Sequence, residues 1–203
     1  TKSDAKESTD DIDAKIKKID ADVVDYKTKF EVDHPQALLS AIFRSSEEPV
    51  IPEAPKNADG SKDSTFAYRY YKEHYFDKFD IADERILRTP VYNSRLSTYL
   101  KNLVVQMPDS LIKEADMLVE KASKNKETFK YMIWYITNTY ETSNIMGLDA
   151  VFVHMVKHYY TKEKAFWVDD ATLYKIQDRA NILEPILVGK QVKNLTLADS
   201  NGV

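Results

Sequence analysis

Five stretches between Tyr92 and Leu183 repeat their apolar residues every three or four positions, and this spacing constrains the fold more than any other feature of the chain. Such a repeat lines large side chains along one stripe of an α-helix, and the stripe has to be buried against another. Tyr92, Leu96, Tyr99, Leu100, Leu103 and Met107 form the first face, up to Pro108. Leu111, Ile112, Ala115, Leu118 and Ala122 follow the helix-start signal Asp109-Ser110. Phe129, Met132, Ile133, Ile136 and Tyr140 make the third face, and Leu148, Val151, Phe152, Met155 and Tyr159 the fourth, after Gly147. Leu173, Ile176, Ala180 and Leu183 make the fifth, behind the N-cap candidates Asp169 and Asp170. Short connections between such helices favour antiparallel pairs packed in layers. The expectation is an all-α bundle, superficially like tetratricopeptide repeats, although no signature recurs at their period of about 34 residues.

The N-terminal third is organised differently. Ile12, Ile16, Ile19, Val23, Tyr26 and Phe30 alternate spacings of four and three, a short heptad seam on a highly charged helical arm, 1–33. A stripe that narrow packs on one neighbour, here expected within the same domain or parent chain, or on its copy in a dimer. The spacing and Asp33-His34-Pro35 predict a second helix from Pro35 to about Ser45 that buries Leu38, Leu39, Ile42 and Phe43. Residues 46–64 then hold three prolines between Glu48 and Pro55, followed by a polar stretch around Gly60; proline at that density enforces extended backbone. The segment marks either a domain boundary or a long surface loop inside the helical domain, 34–187. Phe66 to Phe79 reads as one densely aromatic helix.

Composition narrows the chemistry. The net charge is −4, against the basic patches of nucleic-acid-binding domains. Cysteine is absent, which removes disulfides, thiolate nucleophiles and thiolate metal sites from this chain. Gly60, Gly147, Gly189 and Gly202 stand too far apart to cradle a phosphate or build a nucleophile elbow. No apolar run approaches the roughly 20 residues of a membrane span. The chain opens on Thr1 rather than Met and is expected to be a piece of a longer protein.

Two constellations merit chemical attention. His154 and His158 are one helical turn apart, as in H-E-x-x-H zinc sites, but Met155 occupies the position of the general base. A metal-dependent hydrolase would use this pair with Asp149 or Asp169; the competing reading is a pair of ordinary histidines beside an apolar face. Tyr68, Tyr71, Tyr75 and His74 on the aromatic helix, with Trp134 and Trp167, are candidates for a contact surface taking a glycan or an extended peptide. The competing reading buries their rings in the core. Arg85, Arg88, Lys72 and Lys78 sit among acids and read as a solvated face. No nucleophile, base and orienting partner occur together, so no catalytic residue and no cofactor are assigned.

The C-terminal stretch, Leu183 to Gly202, resembles the opening of a thioredoxin-like domain of the TlpA/ResA and AhpC/TSA type. Gly189, Val192, Leu195, Leu197, Asp199 and Gly202 carry the likeness, while Asn194 stands where that pattern has proline. Phe66 to Phe76, Met146 to His154 and Ala165-Phe166-Trp167 are similar to a helical domain of unknown function that precedes such a domain in Gram-negative envelope proteins. The resemblance implies that 188–203 begins a thioredoxin-like neighbour, with the first strand of a hairpin turning at Asn201-Gly202. It further implies a periplasmic or envelope location and a parent of thiol–disulfide oxidoreductase type whose cysteines lie outside this chain. The helices would then be a non-catalytic accessory module for client docking or self-association.

Overall fold

A computed structural model describes residues 9–56 and 59–191. Among them are eight α-helices and no β-sheet, so the fold is all-α. The expected strand after Val192 lies outside the described residues. The chain divides into two compact units, residues 1–80 with 88–93, and 81–87 with 94–203.

In the first unit, α1 (Thr9–Asp33) is a single long helix whose C-terminal end packs on α2 (Leu38–Ser46). Phe30 meets Phe43 edge-on at 6.0 Å, and Lys27 Nζ stands 5.5 Å from the centre of the Phe43 ring. Upstream the heptad seam is exposed: Ile16 keeps 51% and Ile19 60% of their surface. Packing within the domain therefore accounts only for the last position of the seam. α2 also departs from expectation. It starts at Leu38, because Pro35 to Ala37 form a turn in which the Ser40 hydroxyl donates to the His34 carbonyl at 2.6 Å. Its buried face is Ser40, Ala41 and Ser45, whereas Leu38 and Leu39 are exposed. Small side chains on that face allow close backbone approach.

Glu47 to Pro55 is non-helical, as its prolines require. Its far end is closed by an antiparallel bridge between Lys56 and Lys62 and by the Lys62–Glu53 ion pair at 3.0 Å. Both flanks of this segment fall in the same unit. The aromatic stretch is a helix only over α3 (Phe66–Glu73); beyond it the chain continues in turns. Past the break Tyr75 and Phe79 are buried in the core, where Phe79 meets Tyr92 at 5.2 Å between ring centres.

The second unit holds the layered pairs. α4 (Pro90–Thr98) begins among first-unit residues and runs into a π-helical turn, Tyr99–Leu103, where the Val104 N–H donates to the Tyr99 carbonyl at 3.1 Å. The widened turn ends the first apolar face early: Leu103 and Val104 are buried, Val105 and Met107 exposed. α5 (Pro108–Ala122) starts with proline at its first turn, where the missing N–H is harmless. α6 (Lys126–Glu141) is capped by Asn125, whose side-chain oxygen accepts from the N–H groups of Glu127 and Thr128. α7 (Asp149–Tyr159) follows Gly147, whose φ of +85° is a conformation other residues adopt at a cost. α8 (Asp170–Leu183) is capped by Asp169 accepting from the Thr172 N–H at 2.9 Å. α5, α6 and α7 pack on one another, and α8 packs on α7. Leu111, Leu118, Met132, Ile133, Ile136 and Phe152 are almost wholly excluded from water; complete burial of such a side chain stabilises by about 1.5–3 kcal/mol.

Candidate functional site

The first unit contains a groove of about 260 Å³ between the extended segment and the aromatic helix, lined by Glu47 to Val50 and by Tyr70, His74, Tyr75, Asp77 and Lys78. Helical geometry supplies one wall, since Tyr70 and His74 are four apart on α3 and its C-cap and point the same way. Their rings lie 4.1 Å apart at 33°. His74 Nδ1 stands 2.6 Å from the Asp77 carboxylate, which fixes the imidazole plane. Proline chemistry supplies the other wall by holding residues 48–50 extended. Two side-chain links tie the walls together: Tyr71 donates to Glu48, and Lys78 pairs with Glu47. The hydrogen bond to Glu47 holds the Lys78 ammonium above its usual range, with the Glu47 charge adding to it. The result is a slot with aromatic and proline surfaces and a rim carrying Glu47, Glu48 and Asp77 beside one lysine. Its aromatic and proline surfaces have the chemistry to stack on flat or apolar groups, and its rim the chemistry to pair with a polar chain.

The sequence candidates distribute unevenly around it. His74 and Tyr75 line the groove, although Tyr75 keeps only 1% of its surface. Tyr71 is half-buried and serves as a tie, and Tyr68 is exposed without lining the groove. Tyr70 belongs to the aromatic run but not to the candidates drawn from it, and the Glu47–Glu48 pair is not among the candidates at all. The i, i+4 relation of Tyr70 to His74 was the available signal for the first, while the acidic pair becomes part of a site only through tertiary placement.

In the second unit, Trp134 is half-exposed on α6 with Tyr131 at 5.7 Å, and Tyr131 stacks on Tyr135 at 5.9 Å and 17°. Trp167 is half-buried, edge-on to Phe166 at 5.0 Å, with Phe129 at 6.1 Å and Tyr160 at 6.3 Å. It reads as packing.

The histidine pair forms a separate cluster. His154 Nε2 lies 2.8 Å from Asp116 Oδ1 on α5, and the Tyr159 hydroxyl donates to the same oxygen at 2.7 Å. The His158 ring stacks on His154 at 4.1 Å, with its Nδ1 on the His154 carbonyl at 2.9 Å. Burial, then the bond to Asp116, pushes the Tyr159 phenol well above its ordinary range. One nitrogen of each ring, His154 Nε2 and His158 Nδ1, is thus turned to a protein partner. Asp149 accepts from the Ala150 N–H, and Asp169 caps α8. Among the described residues no three His, Cys, Asp or Glu side chains converge on a point that holds an ion. Also among the described residues, no helix is long and apolar enough to cross a membrane.

Residues 5–184 match the model of a family described as a domain of unknown function, DUF5106. Searches of curated proteins and of solved structures give no match.

Proposed function

From a chain that belongs to the DUF5106 family, we infer a non-catalytic accessory module that docks extended polypeptide beside a thioredoxin-like domain of an exported parent. The groove between Glu48–Val50 and Tyr70–His74 carries the docking half of this reading, because it combines stackable rings with a fixed extended wall. The resemblance of residues 183–202 to a thioredoxin-like opening supports the parent and the envelope location. A parent of thiol–disulfide oxidoreductase type would act on cysteine-bearing chains, and an acid-rimmed aromatic slot favours their apolar and basic segments. The absence of cysteine suits a module that holds a client without exchanging disulfides with it.

The probe is reduced, carboxymethylated α-lactalbumin, titrated into the isotope-labelled chain and followed by amide shifts. The expected result is shift changes concentrated at residues 47–50 and 70–78, lost in Tyr70→Ala. Shifts absent at millimolar probe, or unchanged by Tyr70→Ala, refute the docking site.

A further inference from the structure

We propose that α1 is a self-association element, forming a parallel coiled coil with the α1 helices of further copies of this chain. The inference goes beyond the docking reading and does not depend on the groove. It starts from the seam that α2 leaves uncovered. Ile12, Ile16, Ile19, Val23 and Tyr26 keep between 44% and 61% of their surface and follow one another at heptad spacing. Phe30, the next position, is occupied in its own chain by Phe43, which sets the C-terminal limit of the seam. With Ile16 and Val23 at a, the positions Ile12, Ile19 and Tyr26 fall at d, so every core position is apolar.

Charge complementarity identifies the occupant. The g positions carry Lys15, Asp22 and Lys29, and the e positions carry Asp13, Asp20 and Lys27; the e position that Lys29 would face lies past the end of α1. In a parallel coil each g residue faces the e residue five positions on in its neighbour. Lys15 then faces Asp20 of the second copy, and Asp22 faces Lys27 of the second copy. Both pairings are attractive and both recur by symmetry. The antiparallel arrangement that sets Asp13 against Lys27 of the second copy also sets Asp20 against Asp20 of the second copy, a like-charge contact the parallel coil lacks. A strip whose charges match its own copy in one direction points to self-pairing rather than to a generic apolar ligand. Val23 at a suits two strands and isoleucine at d suits three, so the number of copies is read from the measured mass.

Sedimentation equilibrium on the full chain tests this, from about 1 µM to about 0.3 mM, the range suited to a short coil. The wild type is expected to reach two or three times the monomer mass at the top of that range. Ile16→Asp should weaken association at least about tenfold, with circular dichroism confirming retained helix. Lys15→Asp and Asp20→Lys should each weaken it, and the double charge reversal should restore it, because only the parallel pairing exchanges those two partners. A wild type monomeric at the highest concentration overturns the proposal, and so does association untouched by Ile16→Asp. A double reversal as weak as the singles overturns the parallel arrangement. Tyr70→Ala should leave association intact, so failure here is separable from failure of the docking groove.

Discussion

Asp116→Ala tests whether the histidine cluster is a structural tie between α5 and α7. In the folded chain one carboxylate oxygen takes hydrogen bonds from His154 at 2.8 Å and from Tyr159 at 2.7 Å. A hydrogen bond to a charged group contributes about 1.5–3 kcal/mol when sheltered from water. The Asp116 side chain is 43% exposed and that of His154 17%, so solvent replaces part of what the substitution removes. Halving each bond gives an expected loss of about 1.5–3 kcal/mol for the pair. Trp134 and Trp167 both lie in the second unit, as do all three partners, so tryptophan fluorescence in a urea titration follows the relevant transition. With a urea dependence of about 2 kcal/mol per molar, the midpoint should fall by about 1 M. Tyr159→Phe alone should cost about 1 kcal/mol, and the double variant should show coupling of at least about 0.5 kcal/mol. A midpoint unmoved by Asp116→Ala, or singles that simply add, would refute the tie and return the cluster to consideration as chemistry.

Three further outcomes follow from described geometry. Gly147→Ala should destabilise the second unit by about 1 kcal/mol, read as a lower urea midpoint; the added methyl stands at ordinary contact distance from Val188, so the cost is the φ of +85° itself. Asn125→Ala removes the acceptor for the Glu127 and Thr128 N–H groups and should cost about 1 kcal/mol, whereas Asn125→Ser, which like alanine gives up the amide bond to Glu84 but keeps a capping oxygen, should retain more of the stability; chemical denaturation distinguishes them. Burial, first among the causes, raises the phenol pKa of Tyr140, Tyr159 and Tyr160, so the folded state holds protons that the unfolded chain releases above about pH 10. Stability from these groups is complete below that pH and falls as pH rises towards their folded values. The urea midpoint should therefore decline between about pH 10 and pH 12, and a flat profile would contradict the burial of these rings.

The second unit was legible because each of its stripes meets another stripe, so periodicity alone selects the core face. Leu111, Leu118, Met132, Ile136, Val151 and Leu173 are all buried as their spacing requires. α2 defeats the same logic: its environment accepts serine and alanine and leaves Leu38 and Leu39 to solvent, which hydrophobicity counts cannot foresee. The aromatic run misleads for another reason. Phe66 to Phe79 has helical spacing throughout, yet the helix stops at Glu73 and the buried Tyr75 and Phe79 stand in the turns beyond it. The π-turn at Tyr99–Leu103 leaves no local mark, because Tyr99, Leu100 and Leu103 would also share a face in an ordinary helix. The groove was half legible: His74 and Tyr75 were candidates, but the wall they face comes from residues more than 20 positions earlier.

The path of the backbone between Asp80 and Ser94 carries one more lesson. It passes to the second unit at Ile81, back at Arg88 and over again at Ser94. No single protease cut can release either unit whole, and an expression clone trimmed at any one boundary deprives one of them of a segment it owns. During synthesis residues 81–87 emerge from the ribosome before most of their own unit exists, so they wait for later-made helices while the first unit is still being completed.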